Sequence, residues 1–336
     1  MSKQSLLRLI GSACLAAASL CAPVAAQNVT VTPGGYSGLY IFGDSLTDTG
    51  NLYIATSFTQ PPAGQPYFNG RFSNGPLWVE GLATGLGYGS AASPYLTGGN
   101  NYAYAGARTA TSNSPPGVLA QEVGIWNPAH PLADPNALYV VVGGGNDMRD
   151  ARTAFTTTSV ADQAGRQAAA QAAINNLVSG LSFLASKGAK NVLVANLPDL
   201  GNTPEAVGLG LQAASSDASA RFDALFPSLI ASGQSFGLKM SFLDMAGIAF
   251  AVRSDALNNG GALYGITNVG TPCAGFTGST GISCNVSAFS DALHPSARVH
   301  QLFAQGALAA AVPEPQTYAL MAAGLLLLAA RRRLAA

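Results

Sequence analysis

The stretch Leu39-Tyr40-Ile41-Phe42-Gly43-Asp44-Ser45-Leu46 is an apolar run that ends in a Gly-Asp-Ser turn. A short apolar run bounded by turn residues predicts a buried strand over residues 39–42. In open α/β folds the active site lies beyond the carboxyl ends of the strands. Because Ser45 follows such an end, we predict that it is a catalytic nucleophile.

Other apolar runs predict more strands, and these alternate with helical patterns. Strands are predicted at residues 137–142, 191–195 and 240–243. Helices are predicted to begin at Pro76, at Ser159 (ending at Gly188), at Thr203 (reaching about residue 231), near Met245, and at Ser296 (reaching residue 308). Alternating strands and helices predict a parallel sheet covered on both faces.

A serine nucleophile needs a base, and the chain has three histidines. His130 lies in a proline-rich loop, and His300 lies inside the last predicted helix. His294 follows Asp291 by three residues in Asp291-Ala292-Leu293-His294. A histidine whose ring is oriented by a carboxylate is the usual partner of a catalytic serine. We therefore predict a triad of Ser45, His294 and Asp291.

Four short blocks occur in one order along the chain. They are IFGDSLTDTGN (41–51), NYAYAGA (101–107), GGND (144–147) and DALH (291–294). Together they resemble the blocks of the GDSL or SGNH hydrolase family, with Ala105 at a position that is often Gly or Ser. The resemblance covers residues 39–305. The stretch GRFSNGP (70–76) is also similar to one found in lipase-like and esterase-like members.

This resemblance implies a three-layer α/β/α sandwich with a mainly parallel, flavodoxin-like sheet. It implies a carboxylic ester hydrolase. The sequence has no clustered set of His or carboxylate ligands, so we expect neither a metal nor a cofactor. The backbone N–H groups of Ser45 and Gly106 and the side-chain amide of Asn146 are the implied oxyanion hole. Two other functions stay open: an acyltransferase on the same fold, and a catalytically silent surface or matrix protein.

Several further residues near the blocks have predicted roles outside the chemistry. We expect Asp44 to stabilise the turn, Asp147 to brace the third block, and Asp48 and Asn51 to support the turn after Ser45. The aromatic residues could line an acyl pocket or belong to the core; they are Tyr67, Phe68, Phe72, Trp78 and Tyr104.

Both ends of the chain resemble processing segments. Residues 1–26 have a basic start, an apolar middle and a Val-Ala-Ala cleavage site, which predicts a signal peptide. The hydrolase domain is predicted over residues 27–311. Residues 312–336 contain Pro-Glu-Pro, a short apolar stretch and three arginines, and they resemble the PEP-CTERM sorting signal of Gram-negative bacteria. That resemblance implies export, an exosortase-type processing enzyme, and transient membrane association through the tail.

Charge and cysteine content give two further expectations, one about binding partners and one about a disulfide. The 16 basic residues include five in the two end segments, and the 16 acidic residues include one there, Glu314, so residues 27–311 have 11 basic and 15 acidic residues, a net charge of about −4. An acidic chain without a basic cluster argues against nucleic acid as a partner. In an exported chain, Cys273 and Cys284 predict one disulfide, with two free thiols as the alternative.

Overall fold

A computed structural model describes residues 35–312 except residues 63, 65, 113, 276, 277 and 280. The predicted signal peptide lies outside the described residues, as does the predicted tail from residue 313 onward. Within the described ranges, no helix is both long enough and apolar enough to cross a membrane.

The strands and helices alternate, as predicted. The strands are β1 (Leu39–Phe42), β2 (Leu138–Val141), β3 (Asn191–Ala195), β4 (Lys239–Leu243), β5 (Ala274–Gly275) and β6 (Gly278–Ser279). The α-helices are α1 (Asn51–Ala55), α2 (Trp78–Gly85), α3 (Val118–Ala120), α4 (Asn127–Ala129), α5 (Gly145–Ala154), α6 (Val160–Lys187), α7 (Pro204–Leu209), α8 (Gln212–Ala224), α9 (Phe226–Ser235), α10 (Met245–Asn259) and α11 (Ala297–Ala311). A π-helix (Gln121–Trp126) joins α3 to α4, and 3₁₀ turns lie at Gly89–Ala92, Tyr95–Thr97 and Leu200–Asn202.

The main sheet is parallel and has the order β1-β2-β3-β4 in the described residues. On the free side of β1, the chain around Asn101 runs parallel to it and forms one bridge with Ile41. The Ile41 N–H donates to the Asn100 carbonyl at 3.0 Å, and the Tyr102 N–H donates to the Ile41 carbonyl at 2.7 Å. This short contact takes the place of the second strand of a flavodoxin-like order. This contact is not among the strands predicted from the sequence.

Side chains of the sheet alternate between two apolar cores. Leu39 and Ile41 pack on one face, with residues of α2, α10 and α11. Phe42 packs on the other face, with residues of α6, α8 and α9. Because successive residues of a strand point to opposite faces, one short strand contributes to both cores. The predicted three-layer α/β fold is confirmed.

Two helix predictions were wrong in detail. Pro76 does not begin α2, because Leu77 is extended at the N-cap and its N–H is bound by the Glu80 carboxylate at 2.8 Å. The single helical region predicted from Thr203 is three helices. The first of them ends where Gly210 takes a left-handed conformation with φ 68°.

Candidate active site

Ser45 lies in the tight turn that follows β1. The Asp44 carbonyl accepts the N–H groups of Thr47 and Asp48 at 3.0 and 2.9 Å. The Asp44 side chain accepts the N–H of Leu46 at 3.0 Å. These bonds reverse the chain immediately after the strand, and they place Ser45 at the carboxyl edge of the sheet.

The loop before α11 brings His294 to Ser45. The two residues are 249 positions apart in the sequence, and the His294 Nε2 lies 2.9 Å from the Ser45 Oγ. The opposite ring nitrogen, Nδ1, lies 2.7 Å from Oδ2 of Asp291. The predicted triad residues are therefore in direct contact, in the order Ser45, His294, Asp291.

Asp291 is held by its own loop as well as by the imidazole. Its Oδ1 accepts the N–H groups of Leu293 at 2.8 Å and of His294 at 2.6 Å. Burial disfavours the charged carboxylate, but the nearby His294 charge and these hydrogen bonds outweigh burial and lower the Asp291 pKa to about 2. Asp291 is therefore a stable anion at neutral pH.

The oxyanion candidates come from three different segments. Gly106 has φ 82°, a conformation that favours glycine. Asn146 lies in the first turn of α5, where its Nδ2 donates to the Ala107 carbonyl at 2.9 Å and its Oδ1 accepts from Arg149 at 3.2 Å. These two bonds orient the amide and leave its second N–H unused. In the described part of the chain, the N–H groups of Ser45 and Gly106 also have no protein acceptor.

Two other polar residues near the blocks, Asp147 and Asn51, occupy the structural positions expected of them. Asp147 accepts the Thr109 N–H at 3.0 Å and the Thr109 hydroxyl at 2.8 Å, so it braces the third block. Asn51 donates to the carbonyls of Asn101 and Ala103 at 2.7 and 2.9 Å, which joins the first block to the second.

The remaining histidines lie away from Ser45. His300 is buried, and burial lowers its pKa to about 3. Its Nδ1 accepts the Trp78 N–H at 3.4 Å. The His130 ring stacks on Trp126 with ring centroids 5.2 Å apart.

A mainly apolar cleft of about 440 Å³ opens beside Ser45 and His294. Its walls include Leu197, Ala249, Phe250, Leu293 and Phe303. None of the aromatic residues suggested as an acyl pocket lines it. Trp78 is in the core, the Tyr104 and Tyr95 hydroxyls lie 3.0 Å apart, and Tyr67 and Phe68 line a separate cavity. The cleft residues are scattered in sequence, so no local pattern marks them.

Two polar contacts at the site were not predicted from the sequence. The Tyr67 hydroxyl donates to Oδ2 of Asp291 at 3.0 Å. The buried side-chain amide of Gln121 accepts the Gly43 N–H and donates to the Gly43 carbonyl, both at 2.8 Å. Gln121 therefore fixes the end of β1 directly before the nucleophile turn. A lone glutamine or tyrosine gives no signal of such a role.

The predicted disulfide joins Cys273 to Cys284, with Cα atoms 4.9 Å apart. The Cys273 N–H donates to the Phe289 carbonyl at 3.0 Å, so the cross-linked loop is tied to the chain just before Asp291. No group of three His, Cys, Asp or Glu among the described residues is arranged to hold a metal. The absence of a metal from the chemistry stays a prediction.

A serine, a histidine and a carboxylate are in contact here, at the carboxyl edge of a parallel sheet. This arrangement of side chains is that of the serine hydrolase class. Residues 39–307 match the model of the GDSL-like lipase/acylhydrolase family, and the chain belongs to that family. Residues 311–333 match the PEP-CTERM protein-sorting motif. This motif implies export in a Gram-negative bacterium and processing by an exosortase.

Relatives include both hydrolases and an acyltransferase. Esterase EstA of Pseudomonas aeruginosa is 28% identical over 345 aligned positions, covering 89% of this chain and 49% of the relative. A phosphatidylcholine-sterol acyltransferase of Aeromonas hydrophila is 29% identical over 187 positions, covering 51% of this chain and 47% of the relative. The chain thus spans about half the length of these curated relatives. An extracellular lipase from Streptomyces rimosus aligns with a TM-score of 0.41 at 19% identity, covering 81% of this chain and 100% of that one.

Proposed function

We propose that this protein is an exported serine ester hydrolase with Ser45 as its nucleophile. The observation that carries the proposal is the double contact of His294, whose Nε2 lies 2.9 Å from the Ser45 Oγ and whose Nδ1 lies 2.7 Å from Asp291. A neutral serine hydroxyl is a weak nucleophile, so it needs a base within hydrogen-bond reach. Asp291 orients the imidazole and stabilises its protonated form.

In the proposed reaction, the Ser45 Oγ bonds to the ester carbonyl carbon while its proton moves to the His294 Nε2. The carbonyl oxygen becomes an oxyanion and binds the N–H groups of Ser45 and Gly106 and the Asn146 amide. The tetrahedral adduct expels the alcohol, which takes the proton from His294. Water then attacks the acyl-enzyme by the same route in reverse order and releases the acid.

The cleft beside Ser45 supports an ester with a hydrocarbon chain as the substrate. Apolar walls such as Leu197 and Phe250 bury methylene groups, and each buried methylene contributes about 0.8 kcal/mol. A cleft of about 440 Å³ exceeds the needs of an acetyl group alone. We therefore place acetylated polysaccharide behind lipid and longer-chain esters as candidate substrates.

An acyltransferase is the second candidate, because one relative is a phosphatidylcholine-sterol acyltransferase. The two functions share the acyl-enzyme and differ in whether water or an alcohol attacks it. Product analysis with an ester donor and a long-chain alcohol acceptor separates them. Free acid as the main product supports the hydrolase, and a new ester as the main product supports the transferase.

The sorting motif supports a location outside the cytoplasm: the periplasm, the cell surface or the medium. We further propose that the tail tethers the protein to the membrane until an exosortase-type enzyme processes it. We propose in addition that residues 1–26 are a signal peptide. The hydrolase domain then spans residues 27–311, and the sorting tail spans residues 312–336.

The test of the proposed mechanism is ester hydrolysis by Ser45→Ala and His294→Ala. Both variants and the double variant should lose nearly all activity, and the losses should not add, because the two residues act as one unit. Ser186→Ala, an exposed helix serine, is the matched control. A folded Ser45→Ala protein with most of its activity would reject the mechanism. Absence of labelling by a serine-directed phosphonate in the wild type would instead favour a silent surface protein.

A further inference from the structure

Two aromatic side chains from outside the Asp291–His294 loop contact its functional groups. One contacts the Asp291 carboxylate and the other contacts the His294 imidazole. The Tyr67 hydroxyl donates to Oδ2 of Asp291 at 3.0 Å, and this oxygen also binds the imidazole. The Phe72 ring lies against the His294 ring, with centroids 5.1 Å apart. Tyr67 and Phe72 also pack on each other, with ring centroids 5.6 Å apart. The acid and the base are therefore held by one connected pair of rings.

The next two side chains continue along the same loop. The buried Ser73 hydroxyl donates to the Pro295 carbonyl at 2.9 Å. Asn74 Oδ1 accepts the N–H of Ala297 at 2.9 Å, at the first residue of α11. A Cβ at Gly75 would lie 2.7 Å from the Ala297 Cβ, so only glycine permits this close approach. The segment 67–74 and the segment 291–297 therefore contact each other along their length, in the same chain order.

The segment 67–74 is itself anchored to the body of the domain. Arg71 forms a two-pronged ion pair with Glu80 of α2, with Nε to Oε2 at 2.9 Å and a terminal nitrogen to Oε1 at 2.7 Å. The Arg71 and Glu80 side chains are only 15% and 22% exposed. Arg71 also donates to the Asn69 carbonyl at 2.8 Å. Bidentate pairs of this kind fix direction as well as distance, so the segment has a rigid base.

We propose that residues 67–74 position the acid and base of the triad, with Tyr67 as a positioning residue that acts through Asp291. The proposal rests on the proposed function, because it assigns a role to Asp291 in orienting His294. Among the described residues, Tyr67 supplies the one hydrogen bond to Asp291 from outside the 291–294 loop; the other donors are Leu293 and His294. Without it, the carboxylate is held only by its own loop, through Leu293 and His294, so its alignment with the imidazole is less firmly fixed.

The shared oxygen also gives Tyr67 an electrostatic effect. Its hydroxyl disperses the negative charge of Oδ2, and this weakens the pull of Asp291 on a protonated imidazole. Among the described residues, Asp44 on the nucleophile turn and His300 on α11 also interact electrostatically with His294, and neither hydrogen-bonds to Tyr67. Removing the hydroxyl should strengthen the Asp291–imidazolium attraction and move the acid limb of the kcat/KM profile to higher pH.

The variant Tyr67→Phe tests the proposal, because it keeps the ring packing and deletes only the hydroxyl. We expect kcat to fall about tenfold with KM within twofold, and the acid limb of kcat/KM to move to higher pH. The matched control is Tyr53→Phe. Its ring also lines the neighbouring cavity, while its hydroxyl makes no hydrogen bond in the described structure. Tyr53→Phe should leave kcat and the pH profile unchanged.

A second readout does not depend on turnover. The Nδ1 proton shared by His294 and Asp291 should give a low-field proton NMR resonance, which should shift in Tyr67→Phe and stay in place in Tyr53→Phe. An unshifted resonance with unchanged kcat would overturn the positioning role. A raised KM with unchanged kcat would also overturn it, since the hydroxyl would then bind substrate. Failure of the hydrolase proposal shows separately, as activity retained by Ser45→Ala.

Discussion

The carboxylate of Asp48 accepts the backbone N–H of Ala105 at 2.8 Å, and so joins the turn that carries Ser45 to the loop that carries Gly106. The same carboxylate accepts the N–H groups of Gly50 and Asn51 at 2.8 and 2.6 Å. Asp48 is fully buried, and burial raises its pKa against the effect of these donors. One side chain thus sets the spacing between the proposed nucleophile and an oxyanion donor.

We expect Asp48→Asn to impair both stability and turnover. An asparagine amide presents N–H groups where the Ala105 N–H needs an acceptor, and an unsatisfied buried donor costs about 1–3 kcal/mol. Urea unfolding should show this loss, and kcat should fall at least tenfold because Gly106 shifts. Asp162→Asn, in the first turn of α6, is the control for turnover, with near wild-type kcat. Unchanged kcat in folded Asp48→Asn would contradict the proposed link.

Asn146→Ala should lower kcat by about 10²–10³-fold with little change in KM, since it removes one oxyanion donor. The loss belongs to the transition state, where the oxyanion exists, and not to ground-state binding. Steady-state kinetics measure both constants. Asn175→Ala, on the exposed face of α6, should behave as wild type. A rise in KM with kcat preserved would place Asn146 in substrate binding alone.

Asp291→Asn should lower turnover far more than Asp44→Asn or Asp147→Asn, because only Asp291 contacts the imidazole. The contributions of Asp291 and Asp44 to folding stability should also change with pH in opposite directions. The Asp291 pKa is lowered to about 2, so its contribution is present above pH 4 and is lost as pH falls through about 2. Turnover of the three variants at one pH is the first measurement. If Asp291→Asn is the mildest of them, the triad acid is misassigned.

Asp44 should change the free energy of unfolding with pH in the direction opposite to Asp291. Burial raises the Asp44 pKa to about 6, although the Leu46 N–H and His294 oppose it. The folded state then binds a proton that the unfolded state releases near pH 4, so Asp44 makes the wild type lose stability as pH rises from about 4 to 6. Urea unfolding of Asp44→Asn against wild type over this range should show a flatter pH dependence in the variant.

Filling the cleft should shorten the preferred acyl chain. Ala249 lines the cleft, and we expect Ala249→Trp to lower kcat/KM for an octanoate ester more than tenfold while acetate hydrolysis stays within twofold. The acetate ester is the internal control for an intact triad. Ala231→Trp, on the exposed side of α9, is the control for a large added ring. Equal losses on both esters would mean that the cleft does not bind the chain.

The tail should direct processing and have no part in catalysis. A truncated chain spanning residues 28–311 should be soluble and as active as the exported form, because Asp291 and His294 precede the tail. In the native host, mass spectrometry of the exported protein should find the segment from Arg331 removed. An intact arginine end would favour a permanent tail anchor, and an inactive truncated chain would mean that the tail helps to build the domain.

Local sequence patterns were sufficient to predict much of the fold and the contact between the residues of the proposed triad. Asp291 and His294 are three residues apart, and the apolar runs that became β1 to β4 are short and bounded by turn residues. The family resemblance then pointed to Gly106 and Asn146. Their roles in catalysis stay predictions.

What the sequence did not predict depends on contacts between distant segments. Tyr67 and Asp291 are 224 positions apart, and Tyr67 is one of 11 tyrosines, so nothing local distinguishes it. The strand-like contact at Asn101 consists of isolated bridges, to Ile41 and to Pro94, and not of a regular strand. The cleft is lined by residues from several helices and loops, so its walls become visible only after packing.

The position of His294 directly before α11 has a consequence for the life of the protein in the cell. Helix α11 packs beside α2 in the same core, and it is the last helix of the described chain. The nucleophile is made early during synthesis and the base late, so a partial chain that ends before residue 294 lacks the base of the proposed triad. In an exported protein, the proposed activity would therefore arise only after the whole domain has been made and folded.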